Sequence, residues 1–445
     1  MRPKTWYAAL LTAFSMAQTA PVHAQDGYAL TLPGALALAR TRGAEIQAAR
    51  ARARAADASA DAALAGYLPS LSGQGSLGQT WSRTASPTPT PPGPDVIYRG
   101  QHRQLDASAA LRWTAFDFWQ TPSLVGAARS DARASFQQVK AAANETARLV
   151  ASAFLTAAYD DLLVENAKTT TRVRERHAAI THGLVASGIR PSVEEARARV
   201  ELELARLETI DAERQAAQDK VRLATFLLIP PTTPFELVRP QVLPAVSQQP
   251  REAAAQAVTR RPEVGASAEQ VHARESSLLA AKVARLPTIG AALDASHRAQ
   301  LGESDPTPIY TKETYLTAQV TVSVPLFDWR VWGQVPVARG QLDAAQAERD
   351  ATVARVRGEA AEAAYGVQAA HLVLEQSKST RELAGATLAV MEARYQAGLV
   401  TSTDLFDAAA RDAEARRGLI RAELGVALAV VQALATTYRM GELER

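Results

Sequence analysis

Apolar and polar residues alternate strictly along one stretch of the chain. Leu105, Ala107, Ala109, Leu111, Trp113 and Ala115 are separated by Asp106, Ser108, Arg112 and Thr114, with Gln104 ahead of them. The pattern returns as Leu316, Ala318, Val320, Val322, Val324 and Leu326 against Thr317, Gln319, Thr321 and Ser323. Period-two alternation predicts a strand with two unlike faces. A length of about 10 residues suits a tilted barrel strand with lipid outside and water inside. On that reading Leu105, Leu111, Trp113, Leu316, Val320, Val322 and Val324 face lipid. A soluble two-layer sheet with one wet face shows the same alternation. Weaker strands follow Leu68-Pro69 and Leu286-Pro287, the second carrying Ile289, Ala291, Leu293 and Ala295. Trp113, Phe118, Trp119, Trp329 and Trp332 gather at the strand ends, where aromatic girdles sit.

The remaining pattern is helical. An Ala-rich stretch from Thr121 to about Val185 predicts a helix of roughly 65 residues, about 100 Å long at 1.5 Å per residue, which no ordinary globular domain houses. A second helix returns from Ser192 to about Leu228, with an i, i+4, i+7 stripe at Val200, Leu204 and Leu207. Gly188 and Gly398 suit the left-handed position at which helices stop, each followed by Ser or Thr to cap the next start. Gly188 with Ile189 and Gly398 with Leu399 are thus read as hairpin tips. The returning helix and a helix of roughly 23 residues ahead of each Leu-Pro together approach the length of the long one, so short helices stack end to end beside it.

These elements are written twice. Ala44-Glu45 recurs as Pro262-Glu263 and Leu68-Pro69 as Leu286-Pro287 at one spacing. Phe116-Asp117 recurs as Phe327-Asp328, and Gly188 as Gly398, at a shorter one. The difference falls in the first copy's Pro-rich loop, Thr84 to Pro94, an exposed connector. The chain divides into a leader (1–24), a first repeat (25–229), a Pro-rich linker (230–250) and a second repeat (251–445).

Composition narrows the setting. Arg2 and Lys4, an apolar run from Trp6 to about Ala17 and Pro21-Val22-His23-Ala24 read as a secretory signal peptide cut after Ala24. Beyond it no apolar run reaches the roughly 18 residues a transmembrane helix needs. Net charge is +3 from 49 basic and 46 acidic residues, without the basic stripe that tracks a phosphate backbone, so nucleic acid is not a partner. The absence of cysteine excludes disulfides, thiolate metal sites and a lipoprotein anchor. Gly73-Gln74-Gly75-Ser76-Leu77-Gly78 matches a dinucleotide motif by letters only, since no helix follows it to present amides to a phosphate. His177 and His182 are five apart, off the spacing of two metal ligands on one helix, and read as polar surface. No motif for catalysis, metal or cofactor binding is present.

The Leu-Pro strand starts, the repeated Phe-Asp and the segment Tyr395 to Arg416, YQAGLVTSTDLFDAAARDAEAR, resemble the TolC family of outer-membrane efflux proteins. The resemblance implies an α+β membrane protein with four transmembrane strands per protomer. Three protomers would close a twelve-stranded barrel continued by a long periplasmic helical barrel. It implies a passive, non-enzymatic exit duct in the outer membrane of a Gram-negative bacterium, unlipidated. Its partners would be two further copies, outer-membrane lipid, a periplasmic adaptor of the membrane fusion type, and an inner-membrane pump of the resistance-nodulation-division, ATP-binding-cassette or major-facilitator type. Oligomerisation also follows from the strands alone, because four cannot close a barrel and open edges in lipid leave amides unsatisfied. A secreted coiled-coil structural or adhesive protein is the alternative from another class.

The same resemblance places Asp404 and Asp407 at a periplasmic constriction. Their i, i+3 spacing puts both carboxylates on one face of the helix start. Acidic residues there also simply favour the helix dipole. The matching positions in the first copy, Glu194 and Arg197, compensate each other. Tyr395 and Arg190 are the candidates for holding the closed state. The family's Arg after the second tip glycine is Val400 here, while Arg190 occupies the equivalent place in the first copy.

Overall fold

The computed structural model describes residues 28–86, 96–240, 242–304, 307–397 and 399–444. The leader, most of the Pro-rich loop and Gly398 lie outside the described residues. Each repeat runs through two short helices, two long strands, one very long helix and its return. The first comprises α1 (Leu32–Arg42), α2 (Ala44–Ala63), β2 (Ser70–Ser86), β3 (Val96–Phe116), α3 (Gln120–Ala186) and α4 (Ser192–Leu227). The second comprises α5 (Pro250–Arg260), α6 (Pro262–Val283), β5 (Thr288–Ser304), β6 (Thr307–Ser323), α7 (Trp329–Gln396) and α8 (Ser402–Thr436). A small strand β1 (Tyr28–Thr31) pairs in parallel with β4 (Phe235–Val238), so the segment read as a plain linker contributes a strand.

The strands form one antiparallel sheet in the order β2-β3-β5-β6. They span 17 to 21 residues, longer than the alternation in sequence, which marks only their lipid-height portion. Directly opposed residues share a face, and the register aligns Leu71 with Leu111 and Leu293, and Trp113 with Ala291 and Val320. One face is therefore predominantly apolar, with Leu77, Leu105, Leu316 and Val322 on it and exposed, and with Arg103, His297, Thr314 and Lys312 interrupting it toward its outer end. Val324, assigned to the same face, lies just past the end of β6. The other face carries Ser72, Gln74, Asp106, Ser108, Ser296, Arg298, Thr317 and Gln319. The glycine motif sits inside β2, which removes any nucleotide reading. On the apolar face Trp81, paired with Gln101, lies at the upper end and Trp113 at the lower end. The intervening 12 residues of β3 span about 40 Å, or roughly 30 Å of height at a tilt of about 40°, matching a hydrocarbon layer.

The Phe-Asp repeat has a physical role at the strand-to-helix corners. The Asp117 carboxylate accepts the amide of Thr121 at 2.7 Å, and that of Asp328 accepts the amide of Arg330 at 2.9 Å. Each starts a long helix by satisfying an orphan donor. Phe116 stacks edge-on to Phe118 and Trp119, and Arg285 lies 4.4 Å over the Trp332 ring, so the aromatics do collect at the corners.

Helix lengths match closely. The 36 residues of α4 with the 11 and 20 of α1 and α2 equal the 67 of α3. The 35 of α8 with the 11 and 22 of α5 and α6 equal the 68 of α7. Alanines line the contacts, for example Ala151, Ala157, Ala205, Ala216, Ala360 and Ala364, so helices approach closely without large knobs. Val200, Leu204 and Leu207, the apolar stripe of α4, are instead more than half exposed, because α4 turns its alanine face to α3. The largest core lies midway along α3, where Phe154 and Leu155 pack with Leu36, Leu223, Leu227, Val431 and Leu434. That core explains α8, the one described helix long and apolar enough to cross a bilayer, with mean hydropathy 1.6. Arg421 and Glu423 interrupt its run, and its apolar end is buried against α1, α3 and α4.

Candidate functional site

At the end of the molecule opposite the sheet, two helical hairpins lie side by side. The first turns through Ser187 to Pro191. Gly188 has φ +68°, and the amides of Ile189 and Gly188 return to the carbonyls of Leu184 and Val185 at 3.0 Å, a Schellman stop. In the second hairpin the amide of Leu399 returns to the carbonyl of Arg394 at 2.9 Å, the equivalent long bond. Ile189 and Leu399 are exposed at the two tips. The return helices start differently. Thr401 caps α8 through a reciprocal box with Asp404, whereas Pro191 occupies the cap position of α4 and offers no side-chain bond. Ser192 is therefore the first helical residue and not the cap expected from sequence.

Arg190 ties the hairpins together. Its guanidinium lies 5.4 Å from the ring centroid of Tyr395, its Nη2 donates to the carbonyl of Val400 at 3.4 Å, and its Nη1 is 3.5 Å from Glu194 Oε1. A cation over a tyrosine face is worth about 0.5–2 kcal/mol, more as water is excluded. Tyr395 is buried, packed with Leu388, Leu405 and Ala409. The two closing candidates thus meet, and Arg190 reaches across from the first repeat to the backbone of Val400. Arg197 adds a bond to the Thr403 hydroxyl at 3.3 Å.

A second layer lies behind this contact. Arg174 of α3 is buried, 5.6 Å from the Phe406 ring centroid of α8, 3.5 Å from the Phe406 carbonyl and 3.6 Å from Glu201 of α4. His177, expected at the surface, is buried beside it, 3.7 Å from Glu392. Burial, then the neighbouring Arg174 and Arg176, push the His177 imidazole below its usual range, so it is neutral at pH 7. His182 is exposed and bonds Glu195. Arg174, His177 and Thr181 follow the i, i+3, i+7 spacing of a buried stripe, a signal obscured by their polarity. A cavity of about 500 Å³ separates the hairpins here, walled by Ile180, Leu184, Ile189, Leu405 and Tyr395.

Asp404 and Asp407 lie elsewhere. Both are exposed and line a groove of about 870 Å³ between α7 and α8, with Thr387, Met391, Arg411 and Glu414. Asp404 Oδ2 accepts from the Thr401 hydroxyl at 2.7 Å and the Thr401 amide at 3.0 Å. Those bonds hold its carboxyl below the usual range. Asp404 is a capping residue whose charge stays free to act outward. Among the described residues no group of side chains is arranged to hold a metal ion.

A sequence model of outer membrane efflux proteins matches residues 35–227 and 253–436. No curated protein matches the chain by sequence. Among solved structures, a membrane protein from Pseudomonas aeruginosa superposes with a TM-score of 0.74 at 20% identity, covering 91% of this chain and 92% of that one. The outer membrane protein VceC of Vibrio cholerae superposes with 0.74 at 18% identity, over 91% and 95%. The open state of the MtrE outer membrane channel of Neisseria gonorrhoeae gives 0.70 at 18% identity, over 91% and 88%. At these identities the likeness is one of fold.

Proposed function

Because the chain belongs to the outer membrane efflux protein family, an outer-membrane channel family of TolC type, we propose that three copies form the exit duct of a tripartite efflux or type I secretion system. The observation that carries this reading is the two-faced sheet with free edges at β2 and β6. Lipid tolerates neither free backbone edges nor a polar face, and joining β6 of one copy to β2 of the next satisfies both. Eight strands would leave an interior filled by side chains, whereas twelve leave room for passage. The exposed stripe of Val193, Val200, Leu204, Leu207 and Ile210 on α4 and that of Leu372, Val373, Leu383 and Val390 on α7 also need cover, which neighbouring copies would supply.

The duct itself is passive, as family channels transport without catalysis. Energy would come from an inner-membrane pump acting through a periplasmic adaptor, with Ile189 and Leu399 at the docking tips. The Arg190–Tyr395 contact would keep the hairpins together at rest. Three pairs of Asp404 and Asp407 would form stacked carboxylate rings that favour cations.

Native mass spectrometry in mild detergent, followed by planar-bilayer recording, tests the reading. Three chains per particle and a small resting conductance are expected. A stable monomer, or a trimer that never conducts after adaptor and pump are added, overturns it.

A further inference from the structure

The polar face of the sheet carries one row that is polar or charged from edge to edge. Ser76 of β2 opposes Asp106 of β3, Asp106 opposes Arg298 of β5, and Arg298 opposes Glu313 of β6. Arg298 Nε donates to Asp106 Oδ1 at 2.8 Å, and Gln104 Nε2 to Asp106 Oδ2 at 2.7 Å, with Ser76 Oγ 3.5 Å from that oxygen. The Tyr315 hydroxyl donates to Glu313 Oε2 at 2.8 Å. Two carboxylates against one guanidinium leave the row of each protomer with one negative charge in excess. Lys312 lies on the opposite face, over the Tyr310 ring, and does not offset it.

The position of Glu313 decides whether that excess survives assembly. It stands on edge strand β6, whose neighbour in the trimeric duct proposed above is β2 of the next copy. Along this face β2 presents Ser70, Ser72, Gln74, Ser76, Gly78 and Thr80, none of them charged. Whatever register the seam adopts, the neighbour brings no base to Glu313. The adjacent rows, Gln74–Ser108–Ser296–Tyr315 and Gly78–Gln104–Gln300–Thr311, are uncharged. Asp294 and Arg112, of opposite sign, lie about 13 and 20 Å along their strands from the row at 3.3 Å per residue. Both distances exceed the Debye length of about 8 Å at physiological ionic strength.

We propose that the Asp106–Arg298–Glu313 row, closed into a ring by threefold assembly, is a charge filter in the outer half of the duct. It acts independently of the tip carboxylates, drawing cationic solutes to the barrel wall and thinning anions there. The lumen of a twelve-stranded barrel is wider than the Debye length at physiological salt, so the filter acts at the wall, and across the lumen only in dilute salt.

The chain contains no cysteine, so Ser296→Cys sets a single thiol in the next row, reachable from the outer mouth whatever the tip does. The reconstituted trimer is treated with trimethylammonium and sulfonate methanethiosulfonate reagents of similar size, and the ratio of the two rates is read. Any shift in the thiol's own ionisation cancels in that ratio. In roughly 10 mM salt, where the Debye length is about 30 Å, the cationic reagent reacts faster. Glu313→Gln lowers the ratio about threefold and Arg298→Gln raises it by a similar factor, the effect of a half-kT change on probes of charge +1 and −1. Both changes fade in 1 M salt. Gln at position 313 still accepts the Tyr315 bond, so this variant assembles even if Arg298→Gln does not. A reactive thiol with an unmoved ratio in Glu313→Gln overturns the filter. A thiol in the assembled trimer that neither reagent reaches overturns instead the facing of the sheet and with it the duct.

Discussion

The guanidinium of Arg190 sits 5.4 Å from the ring centroid of Tyr395 and 3.4 Å from the carbonyl of Val400, so one residue of the first repeat contacts both the end of α7 and the turn that follows it. Replacing it by Ala removes a contact worth about 0.5–2 kcal/mol, which multiplies the open fraction of each tip about 2- to 30-fold. Resting conductance of Arg190→Ala trimers should rise accordingly, and Tyr395→Leu should match it without adding to it in the double variant. Additive or absent effects would place the closing contact elsewhere.

Asp404 and Asp407 share a face but not a role within the fold, since only Asp404 also caps α8. Replacing both by Asn should abolish block by a trivalent hexammine cation from the periplasmic side and reduce cation preference. The Asp404→Ala variant alone should additionally lower the melting temperature of the tip, a cap being worth about 0.5–2 kcal/mol. Persistent block in the double variant would leave Asp407 as an ordinary surface acid.

Val320 lies on the apolar row with Ala291 and Trp113, and Thr321 on the polar row with Gly290 and Thr114. Leu316→Arg, on the same apolar face and four residues nearer the bilayer midplane, should destabilise the assembled barrel by about 2–4 kcal/mol, while Thr321→Arg should be tolerated. Unfolding midpoints in urea after reconstitution measure the difference, and equal losses would contradict the facing.

Asp160 of α3 and Asp219 of α4 are both buried, with Asp219 held by Gln215 and Arg222 and flanked by the Lys220–Asp161 pair. On the α8 side Glu423 is engaged by Arg239, which lies over the Tyr159 ring. Burial pushes the Asp160 carboxyl up to about 6 from an ordinary 3.8, and Asp219 and Asp161 add to the rise. Between those values the folded chain keeps a proton that the unfolded chain has lost. Stability therefore falls as pH rises from about 4 to about 6, by at most about 3 kcal/mol, and stays low above. Asp160→Asn should flatten that slope and raise the denaturation midpoint at pH 8. A wild-type midpoint that climbs over the same interval would refute it.

The sequence alone determined whatever local periodicity and chain punctuation determine. Alternation from Leu105 to Ala115 named the faces of the strands, because side chains on a pleat have period two whatever packs against them. Gly188, the Leu-Pro pairs and the Phe-Asp pairs located the turns, because left-handed backbone and helix starts accept few residues. The repeat could be read directly, being a comparison of the chain with itself. Only the tertiary structure decided which stripe of a two-sided helix is inside. The sequence shows both an apolar stripe at Val200, Leu204 and Leu207 and an abundance of alanine suited to close packing; in the fold the alanine face packs, because alanine lets α3 and α4 approach closely and leaves the larger side chains for a surface beyond the protomer. Arg174 and His177 were illegible for the converse reason. Their burial depends on Phe406, Glu201 and Glu392, which lie far away in sequence and come within reach only when the two hairpins meet.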